Sequence, residues 1–175
     1  MGITSFPVVS GAIVNVGSNG DSTAKHEPGT ILAMRSATDQ WSLVEYVQLD
    51  NNGCAQGDAL VKNFATLKQY SVMKGATGDG GAPIRGIALA TIASQRFGFA
   101  AIGGYVEKIT VSHTTASGEY LRLSGSTAGQ LTPDMASVFN AGTQGSSSMF
   151  LVVAVSHGII ATSAMGSGTL IGVWA

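Results

Sequence analysis

Nucleophilic catalysis near neutral pH needs a serine or cysteine held beside a base. The chain has one cysteine, Cys54, just past the turn-forming Asp50-Asn51-Asn52-Gly53. Its neighbours match no cysteine-hydrolase signature, and a small, partly buried filler is the role the sequence favours. No serine stands in Gly-x-Ser-x-Gly, although both residue types abound. The three histidines, His26, His113 and His157, are not four apart and none adjoins a cysteine. A metal site would therefore need the fold to bring them together. His26, beside Glu27 in a loop-like stretch, reads as solvated or at an interface. His157 reads as a hydrogen-bonded residue at a strand end. Gly78-Asp79-Gly80-Gly81 looks like a phosphate loop but lacks the Lys-Ser/Thr ending, and Pro83 stands where the dinucleotide pattern wants glycine. Asp50-x-Asn52-x-Cys54 departs from a calcium loop at its third ligand. The ten carboxylates are scattered, with no pair marked for glycosidic chemistry. No catalytic residue, metal or cofactor is expected, and the chain does not read as an enzyme.

The residues that do stand out are aromatic. Arg96-Phe97-Gly98-Phe99 follows an apolar run, where the connection between two strands is expected. An aromatic side chain buries about 150–250 Å² and, with arginine, tends to anchor interfaces. The alternative is that these rings fold back onto their own core. Trp41 and Trp174 pose the same choice.

The elements that must position them are strands. Ala82 to Val111 forms the centre: an apolar run, a short polar loop, then Phe99 to Val111. This is the pattern of two neighbouring strands joined by a tight connection. The first is apolar on nearly every residue after Arg85, so it is expected to be covered on both faces. Gly103-Gly104 predicts a bulge or bend in the second. Around this pair, strands are expected at Ile31–Arg35, Leu43–Leu49, Ala59–Val61 and within Thr66–Lys74. Lys74 to Ala82 is a loop. Glu119 to Leu123 alternates, with Leu121 and Leu123 inward and Tyr120 and Arg122 outward. Thr132-Pro133-Asp134 has the form of a helix start, followed by a short helix over Met135–Asn140. Further strands are expected at Phe150–Val155, from Gly158, and at Thr169–Trp174. A faint repeat, Gly57-Asp58-Ala59-Leu60 against Gly118-Glu119-Tyr120-Leu121, has an offset of 61 residues. It fits two β-units of like plan, or the self-echo of any glycine-rich β-chain. The fold class is all-β: an antiparallel barrel or sandwich with at most one short helix. Residues 1–29 form an extended N-terminal arm containing Phe6, Pro7 and His26, and residues 30–175 a single β-domain.

Composition narrows the function. A chain of 175 residues buries roughly 70% of its unfolded surface and needs no staples. Charged residues make up 11% against about 25% in ordinary soluble domains. Both a surface covered by partners and a compact, turn-rich β-protein fit that figure. A net charge of −1 argues against a nucleic-acid groove, since phosphate binding is mostly Lys/Arg neutralisation. No apolar run approaches a membrane span, no signal-peptide pattern opens the chain, and Phe6 breaks a myristoylation motif. Intracellular synthesis fits, with no membrane and no nucleic acid as partner.

A sequence plan runs through residues 53 to 132. Gly57-Asp58-Ala59-Leu60-Val61 leads to Gly86-Ile87-Ala88 and to Gly103-Gly104-Tyr105-Val106. Gly118-Glu119-Tyr120-Leu121-Arg122-Leu123 leads to Thr127-Ala128-Gly129-Gln130-Leu131. In this plan the chain resembles the small capsid decoration (cement) proteins of tailed bacteriophages. The resemblance implies a β-tulip-like module, usually a homotrimer, bound to the major capsid protein on the outside of the virion. It would stabilise the shell through multivalent contacts. Phe6, Pro7, His26, Trp41, Arg96, Phe97, Phe99 and Trp174 are the interface residues expected on that reading. The competing reading is a head-fibre, spike or carbohydrate-binding β-module that attaches a particle to host surfaces.

Overall fold

The computed structural model describes residues 19–35, 39–50, 52–65, 69–80, 83–133 and 154–171. These hold ten strands and no helix: β1 (Ile31–Arg35), β2 (Trp41–Leu49), β3 (Ala59–Lys62), β4 (Ser71–Lys74), β5 (Gly86–Ala88), β6 (Phe97–Thr110), β7 (Tyr120–Leu123), β8 (Leu131–Pro133), β9 (Ala154–Ser156) and β10 (Met165–Leu170). The fold is all-β, as the pattern of short strands and glycine turns requires.

The strand order is β1-β2-β4-β3-β5-β6-β10-β9-β7-β8, with a further pairing of β2 and β6. That extra pairing joins β2, β4, β3, β5 and β6 into a ring. The pairs are antiparallel except β2–β4. Val47, Leu49, Leu60, Val72, Ala88, Ile92 and Ala100 pack together in this ring, and Cys54 fills a place among them.

The pattern of β3 to β6 recurs in β7 to β10. The Gly57 N–H donates to the Ala88 carbonyl, and the Gly118 N–H to that of Ser156. Cys54 bridges Ile92, and Thr115 bridges Ile160. A Cβ on Gly98 would meet the Ile92 side chain, and one on Gly166 that of Ile160. The second set closes through the parallel bridge of Val111 to Leu131, as the first closes through β2 and β4. The turn that starts each set is the same. In Ala55-Gln56-Gly57-Asp58 and Ala116-Ser117-Gly118-Glu119 the fourth residue's carboxylate accepts from the first residue's N–H, at 2.9 and 2.6 Å. Ala76-Thr77-Gly78-Asp79 repeats it at 2.8 Å. The third residue of all three has positive φ, which glycine adopts without strain. Gly78-Asp79 thus serves a turn, with its carboxylate already engaged.

Strand β6 belongs to both sets. Its first half pairs with β5 and β2, its second with β10. Two irregularities let it do so. Ile102 is the extra residue opposite Leu43 and Val44, so the bulge lies just before Gly103 and Gly104, which pair regularly with Leu43 and Ser42. Glu107 and Lys108 stand opposite one residue of β10.

Several expectations need correction. Thr132-Pro133 does not start a helix: both belong to β8, paired with Arg122 and Leu121. Proline is tolerated there because β8 stands last in the strand order. The helix expected over Met135–Asn140 lies outside the described residues. The central strands do not meet in a tight hairpin. β5 is three residues long, and residues 89–96 form the connection. Residues 158–162 make a bridge and a turn, and the last described strand begins at Met165.

Candidate functional site

Residues 19–30 lie against β2 and β6. Asp21 bridges Phe97, and the Gly29 N–H donates to the Tyr46 carbonyl at 2.7 Å. The centre of this clasp is Tyr46, fully buried. Its hydroxyl donates to Asp21 Oδ2 at 2.9 Å and accepts from the Lys25 N–H at 3.1 Å. The Lys25 ammonium is 2.6 Å from the other Asp21 oxygen. Its hydrogen bond holds the Asp21 carboxyl below the usual range, with the Tyr46 hydroxyl adding to it and partial burial working against it. A depressed carboxyl stabilises the folded state above the ordinary value of 3.8. That contribution is lost as pH falls below 3.8 through the folded value. The melting temperature of the wild type should therefore exceed that of Asp21→Asn at neutral pH and converge with it in acid. A constant difference across pH would contradict the clasp.

Five of the eight interface candidates fall within the described residues: His26, Trp41, Arg96, Phe97 and Phe99. Phe6, Pro7 and Trp174 lie outside them. His26 is exposed and meets Tyr46 and Phe99 edge-on, at centroid distances of 5.2 and 5.5 Å. Phe97 is not at a hairpin tip: it opens β6 opposite Gln48 and stacks on Tyr46 at 6.0 Å. Phe99 is 5% exposed, in contact with Tyr46. Arg96 is half-buried beside the Gly20 carbonyl. These rings pack on their own chain because Tyr46 and the 19–30 segment supply the surface.

Trp41 differs. It begins β2 and is 56% exposed. The Arg35 guanidinium lies 5.9 Å from its ring centroid and is ion-paired with Asp39. Antiparallel pairing sets Arg35 opposite Trp41, Ala33 opposite Leu43 and Ile31 opposite Glu45. By the two-residue period all six share one face. Leu43 is 50% and Ile31 47% exposed on it. Trp41, Leu43 and Ile31 form an apolar strip in water, closed at one end by Glu45, which is buried against Arg85.

Behind the hairpin, on the side of Ser42, a cleft of about 610 Å³ lies between β2, β6 and the 88–91 loop. Sequence reasoning missed it, because its residues come from separated stretches; only the bulge signal in β6 pointed toward it.

Chemistry is sparse elsewhere. Burial pushes the Cys54 thiol up to about 11, so the thiolate a nucleophile needs is disfavoured. His157 follows β9, with Nε2 2.7 Å from the Thr169 hydroxyl. His113 Nδ1 lies 3.0 Å from the Ser112 hydroxyl. Among the described residues no three His, Cys, Asp or Glu gather as metal ligands, and no helix is long and apolar enough to cross a membrane.

No protein-family model and no curated protein matches the chain. Among solved structures, the crystal structure of the head fibre gp8.5 N base of bacteriophage phi29 is similar, with 7% identity and a TM-score of 0.48. The match covers 75% of this chain and 97% of that one. A likeness of this degree carries no argument about function, and the strand pairings alone define the fold.

Proposed function

We propose that this chain is a non-enzymatic structural protein of a phage virion that decorates the outside of the capsid shell. The observation that carries the proposal is the β1–β2 hairpin. A tryptophan and two aliphatic side chains, about half exposed, share one face of a chain in which only 11% of residues are charged. Apolar strips of this kind mark surfaces that a protein partner covers, and tryptophan and arginine are enriched among interface anchors. The sequence plan that resembles decoration proteins points to the partner: the major capsid protein. Copies of the chain associate, a trimer being the form the resemblance implies, so that several modest contacts add as avidity.

The test is co-sedimentation of the purified protein with shells that lack it. Saturable pelleting at a fixed ratio to the shell subunit is expected, and that ratio separates an evenly spread decoration from a fibre at few sites. Trp41→Ser with Leu43→Ser should weaken shell binding about tenfold or more while leaving the melting temperature nearly unchanged. A protein that stays in the supernatant, or a double variant that binds as the wild type does, overturns the proposal.

A further inference from the structure

None of Trp41, Leu43 and Ile31 lines the cleft behind the hairpin, and Arg35, over the Trp41 ring, lies at its rim. Its volume of about 610 Å³ falls within the range of small-molecule sites. The second irregularity of β6 shapes its wall. Val106 and Ile109 are buried, yet Glu107 and Lys108 between them are both exposed. A regular strand would turn one of the two inward; the extra residue opposite β10 turns both out. Both line the cleft, with Tyr105 beside them.

Tyr105 and Lys108 are held in place. The Tyr105 ring stacks with His157 at 5.5 Å and 26°, and the Tyr105 carbonyl accepts from the buried Ser42 hydroxyl. Gln56 Nε2 donates to the Leu89 carbonyl at 2.8 Å, and its Oε1 accepts from Lys108 Nζ at 3.0 Å. Two polar groups are thus oriented at the wall before any ligand arrives, which lowers the ordering cost of binding.

The groups select a class of ligand. A phosphate or sulfate would want an excess of cations, but Glu107 stands beside Lys108, and the Arg35 guanidinium at the rim is engaged with Asp39. A wholly apolar ligand would cover the Glu107 carboxylate and the Lys108 ammonium without offering either a partner. A ring with an apolar C–H face and a fringe of hydroxyls satisfies all of them: the aromatic face takes the C–H groups, and each hydroxyl both donates and accepts. We propose that this cleft binds a saccharide, its ring against Tyr105 and its hydroxyls donating to Glu107 and accepting from Lys108.

The test is a glycan array probed with the full chain, followed by titration of the strongest saccharide against Glu107→Gln, Tyr105→Ala and Trp41→Ser. Saccharide binding is expected to fall about tenfold or more for Glu107→Gln and Tyr105→Ala, and to persist in Trp41→Ser. Glu107 is exposed, so its conservative variant stays decisive if Tyr105→Ala fails to fold. No binding to any arrayed glycan, or binding that Glu107→Gln leaves unchanged, overturns the proposal. Shell co-sedimentation of Glu107→Gln should match the wild type, which keeps this result separate from the fate of the decoration reading.

Discussion

Arg85→Ala should destabilise the fold by about 3–5 kcal/mol, the cost of leaving one member of a buried ion pair without its partner. Glu45 is 2% and Arg85 10% exposed at the side chain. The guanidinium makes a two-pronged contact, Nε to Oε2 at 2.8 Å and Nη2 to Oε1 at 2.5 Å. Remove the arginine and the carboxylate is held between β2 and the 83–85 segment with neither water nor cation. For a chain of this size that loss should lower the melting temperature on the order of 10 °C. The pair itself contributes far less than the single substitution suggests, because both charges were desolvated to make it. The double variant Glu45→Leu/Arg85→Met should therefore melt close to the wild type. The second set of strands supports this: the residue 61 positions beyond Glu45 is Val106, 1% exposed, and an apolar side chain serves there. Thermal melts of the single and double variants check the claim. A double variant as unstable as Arg85→Ala would show the pair to be needed for more than charge balance.

That ion pair was beyond sequence reasoning, and the reason is physical. The two-residue period sets Glu45 on a face with Leu43, Val47 and Leu49, but nothing local shows whether a carboxylate there meets water or an arginine 40 residues away. The legible parts obey short-range rules. The outward Tyr120 and inward Leu121 and Leu123 of β7 came from the two-residue period, and the structure agrees: Tyr120 is 53% exposed and both leucines are fully buried. The turns at Gly57 and Gly118 obey a short-range rule too, since only glycine takes their positive φ cheaply. Thr132-Pro133 failed for the opposite reason. Its capping pattern is a local preference of about a kilocalorie, and pairing of three residues with β7 outweighs it. The aromatic site was half legible. The sequence left Phe97 and Phe99 open between interface and core because the clasp that covers them, Asp21, Lys25 and His26 around Tyr46, is distant in sequence. Trp41 kept its exposure, and only the pairing of β1 with β2 shows that Leu43 and Ile31 share its face.

Gly104→Val should be nearly as damaging as the loss of Arg85, at about 3–5 kcal/mol, whereas Gly103→Ala next to it should change stability by no more than about 0.5 kcal/mol. The contrast comes from backbone geometry. Gly104 has a φ of 76°, a conformation costly for any side chain and worst for a β-branched one. A Cβ there would also sit 2.5 Å from the Trp41 carbonyl oxygen, which is backbone and cannot swing aside. Gly103 has no positive φ, and its Cβ would find only the Leu43 side chain at 3.8 Å, an ordinary contact. Gly104 pairs with Ser42 on one side and Leu170 on the other. It is where β6 leaves the first set of strands for the second. Forcing a side chain into that crossing would push β2 away at Trp41 and Ser42, disturbing the exposed hairpin and the cleft wall together. Gly104→Val should therefore lose shell and saccharide binding along with stability. Gly103→Ala, within reach of the Leu43 side chain, should keep its melting temperature and its saccharide binding. Equal losses from the two substitutions would mean that the bend of β6 does not depend on this one backbone angle.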